Sequence, residues 1–316
     1  MIHCALPAAH RSRLDPRQDH FDYRVFGLKV RSEIRLSALI PTPIDSADVE
    51  IRLGAVPKHQ SVEPLGLYVD TDGPILNIAN VGRFLIANGN EIIVEPHAQA
   101  SARNVELYLL GSAFGAILHH RHLLPLHANA IEINGRAIAF MGHSGAGKST
   151  LAAWFADHGY RILSDDVCVV DFDSAGIAYA RAGIPRLRLW KDALKVRGIS
   201  ETGLTRSFDG QDKFDMPIIG SGSHDPVRLD AIYLLGKNIG ATDQLMIEQV
   251  SGMAAVEAIS VNTYRGSFVP LIGDRIRHIK DCLKLTQLVK VCKFNRQWDH
   301  RHFERDVRLF LSSEFP

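Results

Sequence analysis

Nine consecutive residues of this chain have the types and spacing of a phosphate-binding loop. Gly142, His143, Ser144, Gly145, Ala146, Gly147, Lys148, Ser149 and Thr150 read G-x-x-x-x-G-K-[ST]. Glycines at these spacings let the backbone curl so that successive N–H groups face phosphate oxygens, and a helix opening there adds its partial positive charge. Lys148 is placed to reach the outer phosphates, and the Ser149 hydroxyl to take a position on Mg²⁺. The stretch predicts a bound nucleoside triphosphate.

Further groups extend that chemistry. Asp165 and Asp166 are adjacent carboxylates after the apolar run Ile162-Leu163. Neighbours on an extended strand point opposite ways, so the two need not share one task; a polar turn is the competing reading. Arg186 and Arg188 fall on one face of an alternating stretch, opposite Leu187 and Leu189. They suit a clamp for phosphate or for an acidic peptide, and a salt-bridged surface equally well. Lys213 sits in a Gly-, Ser- and Asp-rich segment, 207–225, that reads as a mobile loop able to bring it to a phosphate on closure. His119, His120, Arg121 and His122 read as cations complementing a helix C-terminus, with a metal cluster as the sharper alternative.

The elements around these residues must position them. Arg136 to Met141 is a short strand feeding the loop, and Leu151, Trp154 and Phe155 recur at helical spacing as far as Gly159. Asn134-Gly135 predicts a hairpin, so Leu126 to Ile133 pairs antiparallel with the loop-feeding strand and His127 lies near the phosphates. A helix of about ten residues rises ~15 Å and a strand of about five returns ~16 Å. That match brings Asp165 and Asp166 back to the phosphate edge, where ligands of open α/β sheets bind.

Ahead of this region, residues 21–100 carry short alternating runs broken by Gly, Asn and Pro, such as Val49 to Leu53 and Ile92 to Val94. They predict an antiparallel meander or small barrel with one wet face. Ser101 caps a helix to about His120 whose face is Val105, Leu109, Ala113, Ala116 and Ile117. Strands are expected over 229–235 and 245–250, and helices over 252–259, 276–289 and 301–311. The 276–289 helix carries a basic face, usually solvated and otherwise a dock for an acidic protein.

A net charge of +1 gives no long-range field for nucleic acid. Four separated cysteines and the lack of an apolar leader or 18-residue apolar run predict a cytoplasmic protein that does not engage a membrane. Residues 1–20 read as a flexible tail, 21–100 as a β-rich N-terminal domain and 101–316 as the catalytic domain.

His127, the loop, and the run His158 to Asp166 resemble the catalytic domain of HPr kinase/phosphorylase over roughly residues 122–200. The resemblance implies an α/β fold, a P-loop kinase domain of the HPr kinase type preceded by the smaller β-rich domain. It implies ATP and Mg²⁺ as cofactors, Asp165 as the base for a serine hydroxyl, Asp166 with Ser149 on Mg²⁺, and His127 near the transferred phosphoryl group. It also makes a homo-oligomer an expectation. His143 replaces the acidic residue usual at the second loop position, which weighs against the reverse reaction. The layout further resembles HPr-kinase-related proteins, some of which phosphorylate lasso precursor peptides. The leading expectation is a serine kinase for a peptide or small protein. HPr itself as acceptor, a small-molecule acceptor and a nucleotide-dependent switch without transfer are the alternatives.

Overall fold

The computed structural model describes residues 20–58, 64–218, 223–237, 244–297 and 300–316. Most of the anticipated tail, part of the 207–225 segment and Cys4 lie outside them. The first sheet contains β1 (Phe21–Val25), β2 (Leu28–Ser32), β3 (Val49–Leu53), β4 (Gly66–Asp70), β5 (Gly73–Ile78), β6 (Gly82–Ala87) and β7 (Glu91–Pro96), in the order β1-β2-β3-β7-β6-β5-β4. The β1–β2 turn has φ 56° at Phe26 and 78° at Gly27. Positive φ at both central residues matches the twist of a two-residue hairpin. The sheet is open and mixed, unlike the all-antiparallel meander expected: β2–β3 and β3–β7 are parallel. Residues 33–48 give the chain the length a parallel crossover needs.

Ser101 caps the next helix, its side chain accepting from the Asn104 N–H. The helix comprises α1 (Ala102–Tyr108), a π-helical turn at Leu109–Ala113, and α2 (Phe114–His120). Val105, Leu109, Ala113, Ala116 and Ile117 are buried in one apolar cluster with Val30, Phe84 and Ile92 of the first sheet. The cluster runs on to Val167 and Val169, so the helix lies between the two sheets.

The second sheet draws on β8 (Leu124–Leu126), β9 (Ala128–Ile133), β10 (Arg136–Met141), then α3 (Lys148–Asp157), β11 (Arg161–Ser164), β12 (Cys168–Phe172) and β13 (Ala178–Arg181). β14 (Arg186–Trp190), α4 (Lys191–Val196), β15 (Thr205–Arg206) and β16 (Lys213–Pro217) follow; β14, β16 and β15 make a small separate sheet. The chain closes with β17 (Val227–Lys237), β18 (Met246–Gln249), α5 (Gly252–Val261), a 3-10 turn (Gly266–Phe268), α6 (Val269–Ile272), α7 (Arg275–Leu288), β19 (Lys290–Arg296) and α8 (His300–Glu314).

β10, β17 and β19 form the parallel centre. β9 lies between β10 and β11 and is antiparallel to both, so β11 runs parallel to β10, one strand away. Apolar residues of α5 and α7 pack on one face of this sheet and those of α3 and α8 on the other. No described helix is long and apolar enough to cross a membrane.

Two sequence expectations change here. The strand anticipated over 126–133 breaks at His127: β8 pairs with β12, whereas β9 pairs with β10 and β11. Lys213 begins strand β16, in register with Trp190, and is not in an irregular loop. Alternation in Lys213-Phe214-Asp215-Met216 carries that strand, with Phe214 buried beside Leu187 and Leu189.

Candidate active site

The loop leaves β10 at Gly142 and enters α3 through Gly147, which caps the helix in the left-handed region at φ 87°. A Cβ at Gly142 would stand 3.1 Å from the Ala146 Cβ and 3.2 Å from the Leu235 carbonyl oxygen. The tight exit from β10 therefore requires glycine. The Lys148 ammonium donates to the Gly142 carbonyl at 2.6 Å and contacts that of His143 at 3.3 Å. It is buried, and desolvation lowers its pKa. Asn129 of β9 donates to the Lys148 carbonyl at 2.5 Å, fixing the start of α3 on the sheet. A fully buried Asn in an apolar strand was the signal that sequence reasoning passed over.

β11 ends at Ser164, so Asp165 and Asp166 follow the strand end. Asp166 adopts φ 75°, which sends the two carboxylates different ways. The Ser149 hydroxyl lies 3.1 Å from Asp165 Oδ1, and the Arg188 N–H donates to Asp165 Oδ2 at 2.8 Å. Burial raises the Asp165 pKa. Asp166 instead accepts from the Arg188 guanidinium at 2.8 Å and lies 3.5 Å from His127 Nδ1. Burial would raise it too, but Arg188, His127, Lys213 and Lys148 outweigh that effect and hold it below the usual range. The Ser149 hydroxyl thus meets Asp165, where the sequence reading had coupled Ser149 with Asp166.

His127 occupies the break between β8 and β9, its N–H donating to the Asn262 carbonyl at 2.7 Å. Its Nδ1 lies 3.1 Å from the Asp166 carbonyl oxygen; a carbonyl only accepts, so Nδ1 carries the proton. Burial lowers its pKa. The ring stacks on Tyr264 at 6.3 Å between centroids. Tyr264 is held by its backbone N–H to Pro125 at 2.9 Å, by the His119 ring on its carbonyl at 2.8 Å, and by a notch formed by Gly111 and Gly115. His119 therefore has a structural partner, and no group of three potential metal ligands occurs among the described residues. Nothing local in the sequence marked Tyr264, since its role depends on contacts more than 100 positions apart.

The two arginines share a face but part in function. Arg186 pairs with Asp215 at 2.6 Å inside the small sheet. Arg188 is the one that reaches the carboxylates. Lys213 already borders the loop, its ammonium 5.7 Å from the Trp190 ring centroid.

Two cavities meet at this point. A smaller one of about 140 Å³ is bordered by Ser144, Gly145, Gly147 to Thr150, Trp190 and Lys213. A larger one of about 880 Å³ is bordered by Gly142, His143, Arg188, Tyr264 and the π turn. His127 and Asp166 border both. Lys148 borders the smaller cavity, and its ammonium bonds the carbonyls of Gly142 and His143, two residues that border the larger one.

No family model matches the chain. The HPr kinase/phosphorylase of Azoarcus sp. (strain BH72) is 27% identical over 124 residues, 36% of this chain and 38% of that protein. Over that stretch the chain is similar to an HPr kinase/phosphorylase. The match spans little more than a third of that relative's length. The HPr(Ser) kinase/phosphatase structure from Coxiella burnetii overlaps 60% of this chain and 93% of its own at 11% identity, with a TM-score of 0.32.

Proposed function

We propose that this chain is an ATP- and Mg²⁺-dependent kinase that transfers the γ-phosphoryl group to a serine of a peptide or small protein. The observation that carries this reading is the shared border of the two cavities, where Asp166 and His127 face both the phosphate loop and an open cleft. A nucleotide switch needs a carboxylate for Mg²⁺ but none that faces an acceptor cleft.

In this reading the loop N–H groups and Lys148 hold the phosphates, and Lys213 adds charge beside Trp190. Mg²⁺ in nucleotide sites is held by one or two carboxylates together with phosphates. Ser149 and Asp165 offer hard oxygen donors 3.1 Å apart at the start of α3, a donor set that fits. The ion supplies charge neutralisation on the outer phosphates when bound. The serine oxygen attacks phosphorus, the bond to the bridging oxygen breaks, and ADP leaves with the electron pair. The serine proton passes to a carboxylate within hydrogen-bond reach. Access decides which: Asp166 borders both cavities and Asp165 borders neither. We therefore assign Asp166 as base and Asp165 to the metal side. Phosphoryl transfer passes through a loose transition state that needs alignment more than base strength, so the lowered pKa of Asp166 is compatible with the task.

The acceptor is best read as a flexible peptide, the class that includes lasso precursor peptides, because the cleft recesses the base. The test is transfer of labelled γ-phosphate from ATP to serine peptides and, separately, to purified HPr. Asp166→Asn is expected to lower transfer by 100-fold or more while nucleotide binding persists. Full transfer by Asp166→Asn would sink the assignment; hydrolysis without any acceptor transfer would sink the kinase reading.

A further inference from the structure

The larger cavity has one wall from Leu107, Tyr108 and the π turn and another from the end of α5 and the segment through Arg265. At about 880 Å³ it falls within the usual range of ligand-binding clefts. Asp166 is its single acidic lining residue among the described ones, against the guanidiniums of Arg188 and Arg265. Arg188 is committed to Asp166. Arg265 is not: it is exposed, makes no ion pair with any described residue, and lies over the Tyr264 ring at 5.5 Å. Its backbone is left-handed, φ 52° and ψ 38°. A bulky non-glycine residue is disfavoured in that region, which marks the position as one held by its surroundings.

We propose that this cleft is the acceptor site and that Arg265 is a specificity-determining cation, selecting a serine peptide with a carboxylate close to the acceptor hydroxyl. The proposal rests on the kinase reading and goes beyond it by naming the charge of the substrate. The argument is electrostatic and steric. The base is recessed, with Asp166 and His127 side chains 23% and 31% exposed, so the hydroxyl must arrive on a chain narrow enough to enter between the two walls. An extended peptide advances about 3.3 Å per residue, so a carboxylate one to three residues from the serine lies roughly 3–10 Å from the acceptor hydroxyl. Leu107 and Val261 add apolar contact beside it. A guanidinium with no ion pair among the described residues presents a planar fork to such a carboxylate, whereas a basic peptide would meet two like charges.

The test uses the full chain, labelled ATP and a serine peptide library scanned with Asp, Gln or Lys at each flanking position. Wild type is expected to favour Asp over Lys by at least 10-fold in kcat/KM at one or two positions. Arg265→Glu should reverse the preference, with the change carried by KM, and Arg265→Gln should abolish it. Val261→Glu, at a rim position 73% exposed, should weaken the acidic peptides in the same direction. Fluorescent ATP-analogue binding and thermal melting confirm that each variant is folded. Transfer without acid preference, or an unchanged preference in folded Arg265→Glu, overturns the inference and leaves the kinase standing. Transfer to no acceptor of any kind overturns the kinase reading first and the inference with it.

Discussion

The Ser149 hydroxyl bonds the Asp165 carboxylate across 3.1 Å, joining the first turn of α3 to the end of β11. This contact gives Asp165 a partner on the phosphate side of the site, and burial there raises its pKa above the ordinary 3.8. Replacing it by Asn keeps the shape and removes the charge. Mutating even a partner that only hydrogen-bonds a metal's ligand costs roughly 10–100-fold in metal affinity, so the Mg²⁺ midpoint of transfer should move up by at least that order in Asp165→Asn. The stability effect has the opposite sense. Between 3.8 and the raised folded value the folded chain holds a proton that the unfolded chain has lost. Stability therefore falls as pH rises through that window. Above it the wild type carries the full penalty, so Asp165→Asn should melt at the same or a higher temperature at pH 8. A clearly lower melting temperature would show that the charge is stabilising.

His127 should be neutral at pH 7. Burial lowers its pKa from the ordinary 6.5, so between those values the unfolded chain binds the proton better. Its contribution to stability is intact above 6.5 and is lost as pH falls through the folded value. His119, His224 and His278 are lowered by burial as well, so a bulk melting curve cannot single out His127. Histidine-selective NMR can: the signal that disappears in His127→Asn should titrate with a midpoint below 6.5. A midpoint above 6.5 would mean that Asp166 outweighs burial.

Arg186 and Arg188 should separate stability from activity. Arg186 and Asp215 form an ion pair with side chains 12% and 15% exposed. Removing one partner of a buried pair leaves an uncompensated charge and costs about 3 kcal/mol. Arg186→Ala should therefore lower the denaturation midpoint and leave residual transfer per folded molecule near wild type. Arg188→Ala removes the guanidinium from Asp166 and should cut transfer by at least 10-fold. Urea denaturation and transfer assays on both variants decide it; equal activity losses would contradict the division.

Much of the phosphate side was legible in the sequence because it is local. Gly142 to Thr150, the Asn134-Gly135 hairpin and the strand before the loop are specified by neighbours within ten positions, and β10 and α3 form where the pattern placed them. The return of Asp165 and Asp166 followed from matched lengths. What was not legible depends on pairing between distant segments. β19, a central strand of the second sheet, follows α7 directly, and its alternation in Lys290 to Arg296 was overshadowed by the charges of that helix. The parallel placement of β3 between β2 and β7 has no local signature. Asp166 is left-handed and the Ser149 hydroxyl contacts Asp165, and no pattern of side-chain types announces such a turn.

The stack of His127 on Tyr264 depends on the absence of side chains across from it. A Cβ on Gly115 would stand 3.2 Å from Tyr264 Cε1, and one on Gly111 3.2 Å from its hydroxyl. Gly115→Ala sets a gain of about 1 kcal/mol in helix propensity against mild crowding, so little net change is expected. Gly115→Leu cannot be accommodated without moving the ring. Overpacking of this kind costs about 1–3 kcal/mol, and the displaced ring would release His127 from its stacked position beside Asp166. The variant should remain folded and bind ATP analogues normally, because the loop is held independently by Asn129 and Gly147. Transfer to a serine peptide should fall at least 10-fold, and Tyr264→Ala in the same background should add little further loss. A double-mutant cycle reads this directly. Additive losses for Gly115→Leu and Tyr264→Ala would show that the helix notch does not act through Tyr264.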